Sequence, residues 1–214
     1  MLQTPEGDYL VSSRHCSTLC LVDGKSGNLK WILGGKRNQF EDLSGGNATN
    51  FAWQHDARFY NSTHITMFDN HGEQTDSCKE KSCNTRGLHL EIDEQKMTVQ
   101  VVHEYYHPEH VNSGAMGGFQ HLDNGNVLLG WGYNPSIVEY KPDGTPVLDI
   151  QRGKIGSSLS DMFAYRVNKH DWKGVPRWPP SIAVDYPARS TVNGTVFVSW
   201  NGATEVKEWI VVSH

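Results

Sequence analysis

No apolar run in this sequence approaches the roughly 20 residues needed to cross a bilayer as a helix, so no membrane-spanning segment is expected. A basic surplus is missing as well. Lys and Arg number 19 against 24 Asp and Glu, a formal net charge of −5, and no basic stretch is long enough to point to nucleic acid. The opening residues, MLQTPEGDYLV, lack the charged, apolar and small-residue zones of a signal peptide. Cysteine is scarce, with four in 214 residues. Cys78 and Cys83 flank a short polar loop and could close a disulfide. Cys16 and Cys20 are four apart on what reads as one strand. That spacing would put them roughly 13 Å apart, too far to pair with each other.

What the chain has in quantity is glycine, at 21 residues, together with 7 Trp, 8 Tyr and 7 Phe. Hydrophobic residues make up only 37% and come in short runs between turns. This is the composition of an all-β protein. Asn47-Ala48-Thr49, Asn61-Ser62-Thr63 and Asn193-Gly194-Thr195 are glycosylation acceptor triplets in polar, turn-like settings. They set the expectation of an extracellular or secretory location.

Read in order, the chain echoes itself. The first unit holds GDYLVSSR, CSTLCLVD and NLKWILGG, with turn chemistry at 23–28. The second opens with the hairpin FAWQHDARFYNSTHITMFDN and continues through GLHLEID and MTVQVVHEYYH. FQHLDNGNVLLGWG and SIVEYKPDGTPVLDI form the third. The fourth is partial: PSIAVDY, a turn at 193–194, TVFVSWNG and TEVKEWIVV. Repeats of about 40–50 residues made of short antiparallel strands predict propeller blades. Three to four blades are expected over 1–214, with approximate limits 7–50, 51–112, 113–155 and 156–214. The alternative is a compact β-sandwich, against which the threefold recurrence of the turn pattern argues.

His55 stands out in the second unit. Gln54, Asp56 and Arg58 surround it with polar groups on a strand, a setting for a nucleophile or acid/base or for an ordinary hydrogen-bonded histidine. Gln120-His121 repeats its Gln-His pattern in the third unit. His15 would point away from Arg14 on the opposite strand face. Arg14 by itself reads as a solvated strand arginine or a partner for Asp56. His103-Glu104-Tyr105-Tyr106-His107 matches the HExxH pattern of zinc proteases, which requires a helix. The surrounding β-formers and the following Pro108 predict a strand instead, and no zinc site.

Four stretches, GDYLVSSRHCSTLCLVDGKSGNLKWILGG, FAWQHDARFYNSTHITMFDN, FQHLDNGNVLLGWG and VSWNGATEVKEWIVV, resemble the arylsulfotransferase (ASST) family, most strongly its fungal-type branch. The resemblance implies a six-bladed β-propeller of which this chain looks like a partial copy lacking leading blades. It implies transfer of a sulfuryl group from a phenolic sulfate ester to a phenol, with no nucleotide donor and no cofactor. By the same resemblance His55 in Trp-Gln-His matches the histidine that becomes sulfated, and Arg14 in Ser-Ser-Arg the arginine that binds the sulfuryl oxygens. The family also uses a His-x-Asn pair on the strand before Ser-Ser-Arg and a further histidine earlier still. No His-x-Asn precedes Arg14 here. Two function classes therefore stay open: a sulfotransferase, or a non-catalytic propeller fragment in which Trp31, Trp53, Trp131 and Trp200 serve only for packing.

Overall fold

Fifteen strands in four sheets, and no α-helix, make up the described residues of the computed structural model, which are 2–71, 85–155, 163–185, 194–210 and 212. Cys78, Cys83 and Asn193 lie outside them. The chain divides into a unit spanning Met1–Lys169 and one spanning His170–His214.

In the first unit, β1 (Leu2–Gln3), β2 (Tyr9–Ser13), β3 (Thr18–Val22) and β4 (Leu29–Leu33) form an antiparallel sheet in sequence order. The second sheet takes the order β5-β9-β8-β7-β6, from β5 (Glu41–Asp42), β6 (His55–Asn61), β7 (His64–Asp69), β8 (Arg86–Asp93) and β9 (Thr98–Tyr106). Its short edge strand β5 pairs with β9 in parallel. A third antiparallel sheet runs through β10 (Gly118–His121), β11 (Val127–Gly130), β12 (Ser136–Tyr140) and β13 (Pro146–Gln151).

The middle sheet is covered on both faces, and its sequence shows it. Successive side chains of β7 point to opposite faces, yet all five residues from Ile65 to Asp69 are buried. Ile65 and Met67 join Leu88, Leu90, Trp31 and Leu33 in the core shared with the first sheet. Phe68 and Tyr105 pack instead with Phe119, Leu129, Trp131 and Tyr140 in the core shared with the third. Gly87 on β8 lets the second and third sheets approach closely. A Cβ there would stand 2.7 Å from a Leu129 methyl.

Three local expectations are corrected. Cys16 is not on β3: Arg14–Cys16 form a 3₁₀ turn that ends at Ser17 in the left-handed region, φ 50°, and the strand starts at Thr18. Cys16 and Cys20 are both free thiols. For the same reason His15 does not face away across a strand; its ring meets Trp53 edge-on at 4.9 Å. The third strand expected within TEVKEWIVV is absent among the described residues there.

The second unit holds β14 (Ser181–Asp185) and β15 (Thr195–Ser199), an antiparallel ribbon in register from Ser181↔Ser199 to Asp185↔Thr195. Ile182, Val184, Val196 and Phe197 on it are exposed. Asn47 and Asn61 are exposed too, Asn61 at the tip of the β6–β7 hairpin with its carbonyl accepting from the Thr63 N–H.

Candidate active site around His55

His55 opens β6 after an irregular approach. Trp53 and Asp56 both have left-handed backbones, φ 58° and 57°, and the β6–β7 register shifts between His55 and Arg58. Such conformations cost non-glycine residues about 1 kcal/mol or more and persist only where neighbours enforce them. Here they do. The buried Asp69 carboxylate accepts the Ala52 and His71 N–H groups at 2.9 and 3.0 Å. It is itself held by the buried Arg86, whose Nε lies 2.9 Å away and which also binds Glu104 and the Asn50 side chain. Gln54 is buried and fastens the approach to the first sheet, its Nε2 donating to Ser12 Oγ and to the Thr18 carbonyl, each at 3.1 Å. The alternation of Gln54, Asp56 and Arg58 on one strand face is therefore broken. The backbone turns at Asp56, so that Gln54 bonds to the first sheet while Asp56 accepts the Phe119 N–H of the third and keeps Arg58 paired to it.

The hydrogen bonds of His55 fix its tautomer. Asn70 Nδ2 donates to the Ser113 and Met116 carbonyls at 2.6 and 3.0 Å. Its oxygen therefore faces His55 Nδ1, at 2.7 Å, and Nδ1 must carry the proton. The lone pair is left on Nε2, where the Met116 N–H approaches at 3.3 Å, a long contact. Burial lowers the imidazole pKa below the usual value. The Asn70 hydrogen bond opposes this, and the positive charges of Arg166 and Arg14 add to the lowering. His55 is thus a neutral imidazole at pH 7 with its nucleophilic nitrogen directed at a backbone N–H.

Arg14 reaches the same place from the turn after β2. Its guanidinium lies over the Trp53 ring at 4.3 Å, and Nη2 donates to the Gly114 carbonyl at 2.9 Å. Its Nε is buried without a hydrogen-bond partner among the described residues. An arginine with a free buried N–H beside a neutral histidine is suited to an anion. Asp56 is not its partner: that carboxylate pairs with Arg58 at 2.7 Å and Arg166 at 3.1 Å and accepts the Phe119 N–H at 3.0 Å.

Both residues singled out in the sequence, Arg14 and His55, therefore meet at the 113–117 loop. Sequence reasoning missed Asn70, the Met116 N–H, Tyr165 and Arg166. Asn70 had a signal, because it directly follows β7, the strand that pairs with β6. The others belong to segments distant in sequence, and no local pattern marks them. The chain's own His-x-Asn, at 110–112, serves structure: Asn112 Oδ1 accepts the Thr85 N–H at 3.0 Å.

The histidines of the HExxH pattern and of Gln120-His121 lie elsewhere. His103 is on β9, as its β-forming neighbours predict, and His107 just beyond it binds Ser136 Oγ at 2.9 Å. His121 meets His89 edge-on, and His89 also meets His64, both ring pairs at 5.2 Å. Among the described residues no three His, Cys, Asp or Glu side chains are placed to hold a metal. A cleft of about 800 Å³ opens at the far end of the β6–β7 hairpin, lined by Lys30, Asp8, Tyr60 and Glu91 among others, and includes neither Arg14 nor His55.

Comparison with known proteins gives one match that bears on this site. The model of the family described as Arylsulfotransferase (ASST) matches residues 3–153. No curated protein matches the chain. A similar solved structure is that of a protein of unknown function from Bacteroides caccae, at 9% identity and a TM-score of 0.33, covering 68% of this chain. This chain spans 58% of that protein's length.

Proposed function

The chain belongs to the arylsulfotransferase (ASST) family, and from that premise we propose that His55 takes a sulfuryl group from a phenolic sulfate ester and passes it to a second phenol. The observation that carries the proposal is the fixed tautomer of His55, which leaves Nε2 unprotonated beside Arg14. In the first step the Nε2 lone pair attacks sulfur, an N–S bond forms, and the S–O bond to the aryl group breaks with release of a phenolate. Nδ1 keeps its proton throughout, and the Asn70 carbonyl steadies the charge that the ring gains. In the second step the acceptor phenol, its proton given up to the released phenolate, attacks sulfur as phenolate, the N–S bond breaks and the lone pair returns to Nε2. A covalent intermediate of this kind predicts ping-pong kinetics.

Arg14 supplies hydrogen bonds and a permanent positive charge to the sulfuryl oxygens, the main task in transfers of this type. The Met116 N–H, displaced from Nε2, turns to one of those oxygens. No nucleotide and no cofactor enters. The small-molecule partners are an aryl sulfate and a phenol. We read the successive sheets of the first unit as blades of the six-bladed type, place the chain in the fungal-type branch, and take the protein to be extracellular, glycosylated at the exposed Asn47 and Asn61.

A second reading rests on the Met116 N–H, which approaches His55 Nε2 at 3.3 Å, where sulfur would have to bind. In it the site binds aryl sulfates without turning them over. Incubation with 4-nitrophenyl sulfate and a phenol separates the two. Nitrophenolate release that depends on the acceptor and is lost in His55→Ala supports transfer. Binding without release supports the second reading, and full turnover by His55→Ala overturns the assignment of the nucleophile.

A further inference from the structure

Residues 163–169 lie beyond the span matched by the family model, yet they reach His55. The Tyr165 ring stands edge-on to the His55 ring, with centroids 6.5 Å apart and planes at 85°. Tyr165 is 62% exposed. An exposed tyrosine is ordinarily free to turn, but this one is tied down. Its carbonyl accepts the Gly117 N–H at 3.3 Å and a second hydrogen bond from Arg166 Nη1 at 3.0 Å. Arg166 lays its guanidinium over the Tyr165 ring at 4.4 Å. The same guanidinium binds the Gly117 carbonyl at 2.6 Å and Asp56 Oδ1 at 3.1 Å. Farther along, Ala164 donates to the Gly132 carbonyl at 3.1 Å, and Lys169 exchanges two hydrogen bonds with the Gln120 side chain.

We propose that Tyr165 is the platform on which the aryl rings of donor and acceptor rest, and that Arg166 is the positioning residue that holds it beside the nucleophile. The proposal deepens the sulfotransferase reading and rests on it. Asp56 follows His55 directly in the chain, and Gly117 follows Met116, whose N–H contacts Nε2. Tyr165 and the reacting nitrogen are thus fixed to one frame. A sulfur poised for attack lies about 3–3.5 Å from its nucleophile. In the proposed pose its aryl ring, joined through one oxygen, rests against Tyr165 at the roughly 4.5–7 Å at which aromatic rings attract each other. Arg14 and Trp53 deal with the anionic end. Beside His55 the structure also offers a ring, exposed where a substrate can reach it and stiffened by a cation on one face.

The test compares wild type with Tyr165→Ala, Tyr165→Phe and Arg166→Gln, checked for equal melting temperature. Calorimetric titration measures the Kd for 4-nitrophenyl sulfate, and mass spectrometry measures sulfuryl transfer to His55. Tyr165→Ala is expected to raise Kd and KM about tenfold, a loss on the scale of one aromatic pair plus its buried area, with the maximal extent of His55 modification unchanged. Tyr165→Phe, which keeps the ring, is expected to weaken binding less than Tyr165→Ala does. Arg166→Gln also weakens binding and moves the acid limb of the pH profile upward, because removal of a positive neighbour lets the His55 pKa rise. Wild-type affinity in Tyr165→Ala overturns the proposal, as does failure of the wild type to bind 4-nitrophenyl sulfate. If binding depends on Tyr165 but His55 is never modified, the sulfotransferase reading falls and the ring platform stands.

Discussion

Asn70 presents its side-chain oxygen to His55 Nδ1 at 2.7 Å, and two backbone carbonyls hold its amide nitrogen so that it cannot present the other end. The relationship decides which imidazole nitrogen is free to react. Asn70→Ala removes that control and takes the donor from the buried Ser113 carbonyl and the partly buried Met116 carbonyl. A fall in turnover on the order of 10²-fold is expected from loss of orientation, together with about 1–3 kcal/mol of stability. Asn70→Asp is expected to be worse for stability, since a carboxylate would face those carbonyls. Steady-state kinetics and urea denaturation of both variants check this. Unchanged turnover in Asn70→Ala would remove Asn70 from the site.

In the proposed transfer the neutral form of His55 is the reactive one, and burial, with two arginines adding to it, holds its pKa below the ordinary 6.5. Activity should therefore stay level as pH falls from 8 through 6.5 and decline only below that. The kcat/KM profile of the free protein reads this directly. An acid limb at or above 6.5 would mean that the site lacks the field described.

Gly117 turns the loop that carries Met116 toward His55. Its φ is 105°, and a Cβ there would lie 2.3 Å from the Phe68 ring. Gly117→Ala combines a disfavoured backbone with a clash against a buried side chain. We expect a loss of at least about 1 kcal/mol and a further drop in turnover from displacement of the Met116 N–H. Thermal melting and kinetics measure the two effects separately.

His89 sits away from the site, buried beside His121 and His64, and burial together with those neighbours pushes its pKa down to about 4. The unfolded chain takes up this proton near pH 6.5 and the folded protein only near pH 4, so stability falls as pH drops through that window. A difference of this size corresponds to about 3 kcal/mol by pH 4. Denaturant midpoints measured from pH 7 to 4.5 should fall steadily, and less steeply in His89→Gln. Equal slopes in the two proteins would contradict the assignment.

Much of the fold was legible because the middle sheet writes its environment into the sequence. The run from Ile65 to Phe68 is strand-forming throughout and is flanked by the turn at Asn61, so the hairpin could be read, although residues 51–54 precede β6 rather than belong to it. Arg14 and His55 were legible as motif residues. Their surroundings were not. The polar alternation around His55 predicts a regular strand face, whereas contacts with the first and third sheets force a left-handed turn at Asp56. Cys16 and His15 fall in a 3₁₀ turn that ends in a left-handed serine, for which no glycine or asparagine gives warning. The 204–212 stretch is rich in β-formers but forms no strand among its described residues, since propensity alone does not supply a pairing partner. Arg166 and Tyr165 come to the site through tertiary contacts with Asp56 and Gly117, which no spacing rule encodes.

The most direct test of the account is to expose the protein to an aryl sulfate without acceptor, quench it in alkali and sequence its peptides by mass spectrometry. The account predicts one sulfuryl group, carried on His55, absent from His55→Ala and discharged when a phenol is added. Transfer of sulfuryl to a phenol with His55 never modified, or with the group on another residue, would contradict it.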